Sequence, residues 1–392
     1  MTSEAVDDNL LSILSVKRSK SMPRSINISL IRLQDLTMRA IRFTGLAVVM
    51  LFILNLTTLA LANSPPAVLN EPAQRVAQPE RAYLLSITKA GNRLVAVGEA
   101  GRIILSDDNG TSWQQADVVP VSVLLTDVAF ANERIGWAVG HLGVVLRTED
   151  GGRTWQKQLD GVKVAELMLD HANRAVGGNS DAQAVAVDQA TRLVEDGPDK
   201  PFLALHVSTS DQALVIGAYG LALQTNDGGQ HWSPVTQVAD NPGGLHYYAA
   251  AQVGNAQILV GEQGILLRSE AGGAYERIAQ PYAGTLFGCI GEAGRPVLAF
   301  GLRGNVVKSL DGGNTWQQLE SPLNASVQAA TLLSDGTIVL AAENGQLVTW
   351  RAEGGFSSLG QAGQPVAALI QTHPHTLILV GPHGVESVRF GA

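Results

Sequence analysis

An acidic string with paired glycines, returning roughly every forty residues, limits what this chain can fold into. It reads RTEDGGRTW at 147–155, LSDDNGTSW at 105–113, QTNDGGQHW at 224–232 and KSLDGGNTW at 308–316, with an eroded copy, RSEAGGAYE, at 268–276. Each copy belongs to a longer unit: a strand ending in Gly, two variable residues, a second Gly and a returning strand. The units are VGEAGRIILSDD (97–108), VGHLGVVLRTED (139–150), IGAYGLALQTND (216–227), VGEQGILLRSEA (260–271), FGLRGNVVKSLD (300–311), AAENGQLVTWRA (341–352) and VGPHGVESVRFG (380–391). Their second glycines, at 101, 143, 220, 264, 304, 345 and 384, are 42, 77, 44, 40, 41 and 39 residues apart. Seven units emerge, with one surplus. Catalytic machinery is rarely needed five times in one chain, so the acidic string is punctuation of a repeat.

Each unit parses into strands. A run such as RLVAVGEA reads as an alternating strand, the glycine pair permits a tight turn with φ > 0, and GRIILS returns as the second arm of a hairpin. The S/T-x-D-x-G-x-x-W box is then the next turn: its Asp accepts from backbone N–H groups, its Gly turns left-handed and its Trp packs beneath. Four strands per forty residues, seven times over, predicts an all-β, seven-bladed β-propeller. Asp108, Asp150, Asp227 and Asp311, with Trp113, Trp155, Trp232 and Trp316, are accordingly structural turn residues. A calcium loop would need further oxygen ligands at regular positions, and no metal or cofactor is assigned.

The surplus lies at 158–200. Here VKVAELMLDHANRAV and DAQAVAVDQATRLVEDG place apolar residues three and four apart, which predicts a short helical insertion between blades 2 and 3, dispensable for the propeller itself. DGPDKPF (196–202) stops the second helix. An eroded eighth blade is the alternative. In the last unit only three strands precede the end of the sequence, so the fourth is expected from Pro66 to Gln78, which would leave no bare sheet edge.

The N-terminal text MRAIRFTGLAVVMLFILNLTTLALANS has two arginines, an apolar run from Leu46 to Leu61 and a final Ala60-Leu61-Ala62, the layout of a secretory signal. A membrane-anchoring helix is the alternative, although the run falls short of the ~20 residues that span a bilayer. The expected organisation is an extraneous extension at 1–37, with Met22 or Met38 as alternative starts. It continues with a signal peptide or anchor at 38–62, a linker and closing strand at 63–80, and the propeller at 81–392. Export to the periplasm follows, with an inner-membrane tether if the segment stays uncleaved. The formal charge is −8; loss of residues 1–62 removes seven basic and four acidic residues and makes it about −11. That balance argues against nucleic-acid binding. The single cysteine, Cys289, excludes an internal disulfide and fits a buried thiol.

RIGWAVGHLGVVLRTEDGGRTW (134–155) resembles the seven-bladed propeller family of photosystem II assembly and stability factors and its non-photosynthetic bacterial branch, built on the bacterial-neuraminidase-type repeat. The resemblance spans about 81–392 and is sharpest at GWAVG (136–140) and T-x-D-G-G-x-T-W (148–155); Ala271, Ala352 and the missing last strand depart from it. It implies a non-enzymatic, exported, monomeric protein that holds a membrane-protein or envelope partner during assembly. Members of the bacterial branch often accompany transporters of the resistance-nodulation-division type, which the resemblance therefore offers as a partner. The rival is a glycoside hydrolase of sialidase or xyloglucanase type, which shares the repeat but needs two convergent carboxylates and, for sialidases, an arginine clamp. Arg102, Arg147, Arg268 and Arg303 are scattered, and neither H-E-x-x-H nor G-x-S-x-G occurs. In such propellers the turns between second and third strands gather around one mouth of the channel, with the acidic boxes on the opposite face. The expected partner-binding residues are therefore Glu99, His141, Tyr219, Glu262, Arg303, Glu343 and His383.

Overall fold

The computed structural model describes residues 65–174, 180–235, 241 and 243–391. The expected extension and signal lie outside the described residues, as do the first two residues of the linker. No helix among the described residues is long and apolar enough to cross a membrane.

The chain forms seven antiparallel sheets in sequence order. Blade 1 is β1 (Leu84–Ala90), β2 (Arg93–Gly98), β3 (Ile103–Ser106) and β4 (Gln114–Gln115); blade 2 is β5 (Leu125–Phe130), β6 (Gly136–Gly140), β7 (Val145–Thr148) and β8 (Gln156–Leu159). Two helices follow, α1 (Gly161–Arg174) and α2 (Ser180–Asp196). Blade 3 is β9 (Phe202–Val207), β10 (Ala213–Gly217), β11 (Ala222–Thr225) and β12 (Ser233–Pro234); blade 4 is β13 (Tyr247–Val253), β14 (Ala256–Gly261), β15 (Leu266–Glu270) and β16 (Glu276–Arg277). Blade 5 is β17 (Leu286–Ile290), β18 (Val297–Gly301), β19 (Val306–Ser309) and β20 (Gln317–Leu319); blade 6 is β21 (Val327–Leu332), β22 (Ile338–Ala342), β23 (Gln346–Arg351) and β24 (Gly355–Gln361). Blade 7 has three strands, β25 (Ala368–His373), β26 (Thr376–Gly381) and β27 (Gly384–Arg389). The seven-bladed propeller expected from the repeat is the fold, and the helical insertion falls between blades 2 and 3.

Seven apolar clusters fill the seven seams between neighbouring sheets, so there is no single core. In β2, Val95 and Val97 face blade 2, whereas Leu94 and Ala96 face blade 7. In β22, Ile338 and Leu340 face blade 5, whereas Val339 and Ala341 face blade 7. The second strands are thus buried on both faces and read as continuous apolar runs, not as the alternation expected of RLVAVGEA. Blade 7 closes the ring by the same means. Ile378 and Val380 pack on Leu84, Ile87, Leu94, Ala96 and Ile104 of blade 1.

The segment Pro66–Gln78 does not supply the missing strand. It contains one helical turn, Ala67–Leu69, and drapes over blades 1 and 2. Leu69 is fully buried in their seam, Ala73 N–H donates to Val119 O (3.0 Å), and the Gln74 carbonyl accepts from the Gln115 amide (2.9 Å) and Arg102 Nη1 (2.5 Å). Pro66 and Pro72 within it, and Pro65 and Pro79 on either side, lack the N–H groups that a ladder needs, which favours this irregular path.

Six of the seven innermost strands share an irregularity. Their pairing skips one residue: Leu85, Thr126, Leu203, Tyr248, Phe287 and Gln328 in blades 1 to 6. A bulge re-aims the extra side chain. Leu85, Thr126, Leu203, Tyr248 and Gln328 line the central channel, a cavity of about 340 Å³. Just below, the Asp127 carboxylate accepts from Ser86 Oγ of blade 1 (2.7 Å), Leu205 N of blade 3 (3.0 Å) and its own neighbour Val128 N (2.9 Å). Burial pushes its pKa up against the pull of these donors. One side chain thus ties three blades at the channel wall. Asp127→Ala strands those donors, and a loss of about 1–3 kcal/mol is expected from chemical denaturation.

The insertion is not wholly peripheral. Val164 is buried in the seam of blades 2 and 3, with Leu167, Met168 and Leu193 packed against the same cluster. Gly161 lies so close to Gly143 that a Cβ on either would clash with the other segment or its neighbours. Replacing 161–196 with a Gly/Ser linker should therefore retain the β signal in circular dichroism yet lower stability by at least the ~1.5–3 kcal/mol of one buried aliphatic side chain.

Candidate partner-binding face

The turns between second and third strands lie on one face because antiparallel strands alternate direction, and the acidic boxes, one turn later, lie on the other. The first glycine of each turn is not there for a positive φ. Gly98, Gly140, Gly217, Gly261 and Gly301 are extended, with φ between −171° and −176°. A Cβ on them would come within 2.0–2.4 Å of the carbonyl oxygen just before the innermost strand, at Tyr83, Leu124, Pro201, His246 and Thr285. Glycine permits this close approach of backbones. The left-handed positions are the next two residues but one: Ala100, Leu142, Tyr219, Gln263 and Arg303 have φ of 50–57°, followed by a glycine also at positive φ.

The expected binding residues therefore divide. Glu99, His141 and Glu262 open their turns, whereas Tyr219 and Arg303 take the left-handed place. Glu343 and His383 sit in the shorter turns of blades 6 and 7. His141, Arg303 and His383 are exposed. The three glutamates share a second role: Glu99 accepts from Tyr83 N (3.1 Å), Glu262 from His246 N (2.9 Å) and Glu343 from Ser326 N (3.3 Å). Each carboxylate is drawn inward, next to the start of the innermost strand, so negative charge stands at the channel mouth. In blade 7 the bond runs the other way: Gln364, ahead of the innermost strand, accepts from the turn's His383 N (2.8 Å).

Four residues beside this ring went unread in the sequence. Lys200 lies 5.0 Å from the centre of the Tyr219 ring and is held by Asp196 (3.0 Å) and Asp199 (2.5 Å). Tyr219 meets His246 edge to face (5.0 Å), His246 meets Tyr248 (6.4 Å) and Tyr248 meets Phe287 (5.4 Å). The contacts cross three blades, and no spacing in the sequence announces them.

On the opposite face the boxes repeat one network. In blade 2, Thr148 Oγ1 donates to Asp150 Oδ1 (2.9 Å), Gly152 N donates to Thr148 Oγ1 (3.0 Å), and Thr154 N and Oγ1 donate to the two oxygens of Asp150 (2.9 and 2.6 Å). Trp155 is 2% exposed and donates to Gly152 O (2.9 Å). Trp113, Trp155, Trp232 and Trp316 each enter the seam with the preceding blade. The first box glycine is in turn fastened from that blade: Gly151 O accepts from Arg93 (3.0 Å), Gly228 O from Gln158 (2.9 Å) and Gly312 O from Arg268 (3.1 Å). The box is a wedge between blades. In blade 4, where Ala271 replaces the Asp, Ser269 Oγ donates instead to Gly273 O (2.7 Å) and Tyr275 fills the seam.

Among the described residues, no group of three or more His, Cys, Asp or Glu gathers as a metal site. Cys289 lines the channel, and burial pushes its thiol up to about 12, away from reactive thiolate chemistry.

The fold and these wedges define the class: a seven-bladed propeller built on an acidic-box repeat. Residues 111–173, from the first box through blade 2 into α1, match the family model described as Photosynthesis system II assembly factor YCF48. Two solved structures of YCF48 share the fold. One, YCF48 bound to D1 peptide, is 16% identical, with 82% of this chain and 96% of that one covered and a TM-score of 0.57. The other, YCF48 from Cyanidioschyzon merolae, is 14% identical, with coverage of 82% and 98% and a TM-score of 0.56. The WD40 propeller domain of Doa1 also aligns, at 12% identity, 82% and 96% coverage and a TM-score of 0.56. No curated protein sequence matches the chain. The chain is a seven-bladed β-propeller that is similar to the photosystem II assembly factors over residues 111–173 in sequence and over most of its length in fold.

The boxes carry an acid signature. Donation from Ser112 to Asp108, from His231 N–H to Asp227 and from Thr315 to Asp311 holds these carboxyls at about 2. Asp150 is also lowered: its burial works against this, but the Thr154 and Thr148 bonds outweigh it. Because the folded values lie below the ordinary carboxylate range, their stabilisation is complete above about pH 4 and is lost as pH falls through about 2. Thermal melts of the Asp108→Asn, Asp227→Asn, Asp311→Asn triple variant should show a lower plateau near neutrality and a shallower fall between these limits than wild type.

Proposed function

We propose that this chain is an exported, non-enzymatic scaffold that holds a membrane-protein or envelope partner on its turn face. The observation that carries this reading is the ring of inward-drawn glutamates and exposed turn residues around the channel mouth, beside an aromatic run that the blade seams do not consume. A structure of similar fold that holds a D1 peptide supports peptide capture by this kind of propeller. A resistance-nodulation-division transporter is the partner class that the bacterial-branch resemblance implies, and the periplasm is the compartment in which the acidic, disulfide-free propeller would meet it. The hydrolase alternative draws no support from the channel. Asp127 is the one carboxylate lining that cavity, and both its oxygens are engaged, whereas glycoside cleavage needs two free carboxyl groups.

Replacing Glu99, Glu262 and Glu343 together by Gln keeps an acceptor oxygen for each strand-start N–H and removes the charge. The melting temperature is expected to hold, while a photo-crosslinker at His383 should lose most of its adduct with an integral membrane protein at low salt. That deficit should narrow as salt rises, since exposed charges are screened over about 8 Å at physiological ionic strength. Adducts forming equally from Leu310 on the box face, or turnover of sialosides above a mock preparation, would remove this reading.

A further inference from the structure

The ring of bulged residues is uneven, and its unevenness points to a ligand. Around the mouth the re-aimed side chains are Leu85, Thr126, Leu203, Tyr248, Phe287 and Gln328, all half-buried. The two aromatics are neighbours, on β13 and β17, and stack edge to face. From them His246 and Tyr219 extend the aromatic surface outward to the rim. Tyr219 is 61% exposed, the most exposed aromatic among the described large apolar side chains, and it occupies a left-handed backbone place with φ of 56°. Ala100, Leu142, Gln263 and Arg303 hold the same left-handed place in other blades, so that backbone belongs to the repeat, and the exposed aromatic ring is what sets this blade apart. Stability alone would favour glycine at 219. Tyrosine there, steadied by Lys200 from beyond the insertion, presents a ring to solvent at a conformational cost.

Charge defines the other half of the site. Glu262 lies at the middle of the aromatic run: one oxygen accepts from His246 N (2.9 Å), and the other stands 3.6 Å from His246 Nδ1. Glu99 and Glu343 lean inward at the same level from blades 1 and 6. Lys200, which lies over the Tyr219 ring, is already held by two aspartates. An apolar, aromatic track edged by carboxylates complements a side chain of the opposite sign set beside an apolar one.

Resting on the partner-binding reading of this face, we propose that the mouth between blades 3 and 5 seats an extended polypeptide segment of the partner. It lays an apolar or aromatic side chain against Tyr248 and Phe287 and sets an adjacent Lys or Arg between Glu262 and the Tyr219 ring. An extended segment fits because the track runs from the rim to the channel mouth across three blades and stays open to solvent along Tyr219.

The test uses the full chain in detergent and three fluorescein-labelled twelve-residue peptides with the same Gly/Ser spacing, carrying Arg-Phe, Glu-Phe or Arg-Ser pairs. Fluorescence anisotropy should show the Arg-Phe peptide bound and the other two at least about tenfold weaker. Tyr219→Gly is the decisive variant, because glycine suits the left-handed turn: its melting temperature should match wild type while affinity for the Arg-Phe peptide falls about tenfold or more. Tyr248→Ala should lose a similar factor, and Leu310→Ala on the box face should lose nothing. Indifference among the three peptides, or unchanged affinity in Tyr219→Gly, would overturn the proposal. Crosslinking of a membrane protein from His383 alongside either result would leave the broader partner-binding reading in place and move the contact elsewhere on the face.

Discussion

The apolar seam between adjacent blades is the interaction on which everything else depends. A single four-stranded sheet of this sequence has two greasy faces and no way to bury either alone. Only a ring gives every sheet a neighbour on both sides, which explains why the second strands carry apolar residues toward both faces. The acidic boxes serve the same end. Each box tryptophan enters the seam behind it, and Arg93, Gln158 and Arg268 reach forward from the preceding blade to hold the box backbone. The acidic turn is a fastener whose hydrogen bonds rigidify the wedge.

Ring closure follows from the same constraint. Many closed sheets hide an edge by borrowing a strand, and the three-stranded last blade invites that solution here. The seam of Ile378 and Val380 against Leu84 and Leu94 closes the circle without it, and the proline-rich segment before blade 1 is left to bridge blades 1 and 2. The helical insertion extends this economy: its first helix adds Val164 to an existing seam, and Leu193 of the second packs against the same cluster.

With the seams holding the frame, the turn face is comparatively free of structural duty, and function can be grafted there. The glutamates of blades 1, 4 and 6 hold the starts of innermost strands and at the same moment bring charge to the mouth. The bulges do likewise, relieving strand curvature while turning one side chain per blade toward the channel. Tyr219 stands apart by its exposed ring and not by its backbone, which Ala100, Leu142, Gln263 and Arg303 share in other blades.

The sequence by itself determined the repeat, the blade count, the place of the insertion and the structural part of Asp108, Asp150, Asp227 and Asp311, because those depend on glycine, aspartate and tryptophan at fixed short spacings. It also located the turns that form the candidate face. Only the tertiary structure decided that Pro66–Gln78 forms no strand, that the leading turn glycines serve close backbone approach, and that Asp127 joins three blades. The aromatic run from Tyr219 to Phe287 belongs with these. Its members lie up to 68 residues apart, on different blades, and are brought together by the curvature of the ring and by bulges that shift one residue in each innermost strand. Neither leaves a period in the sequence, because both are set by how whole sheets pack and not by the preference of any residue for its neighbours.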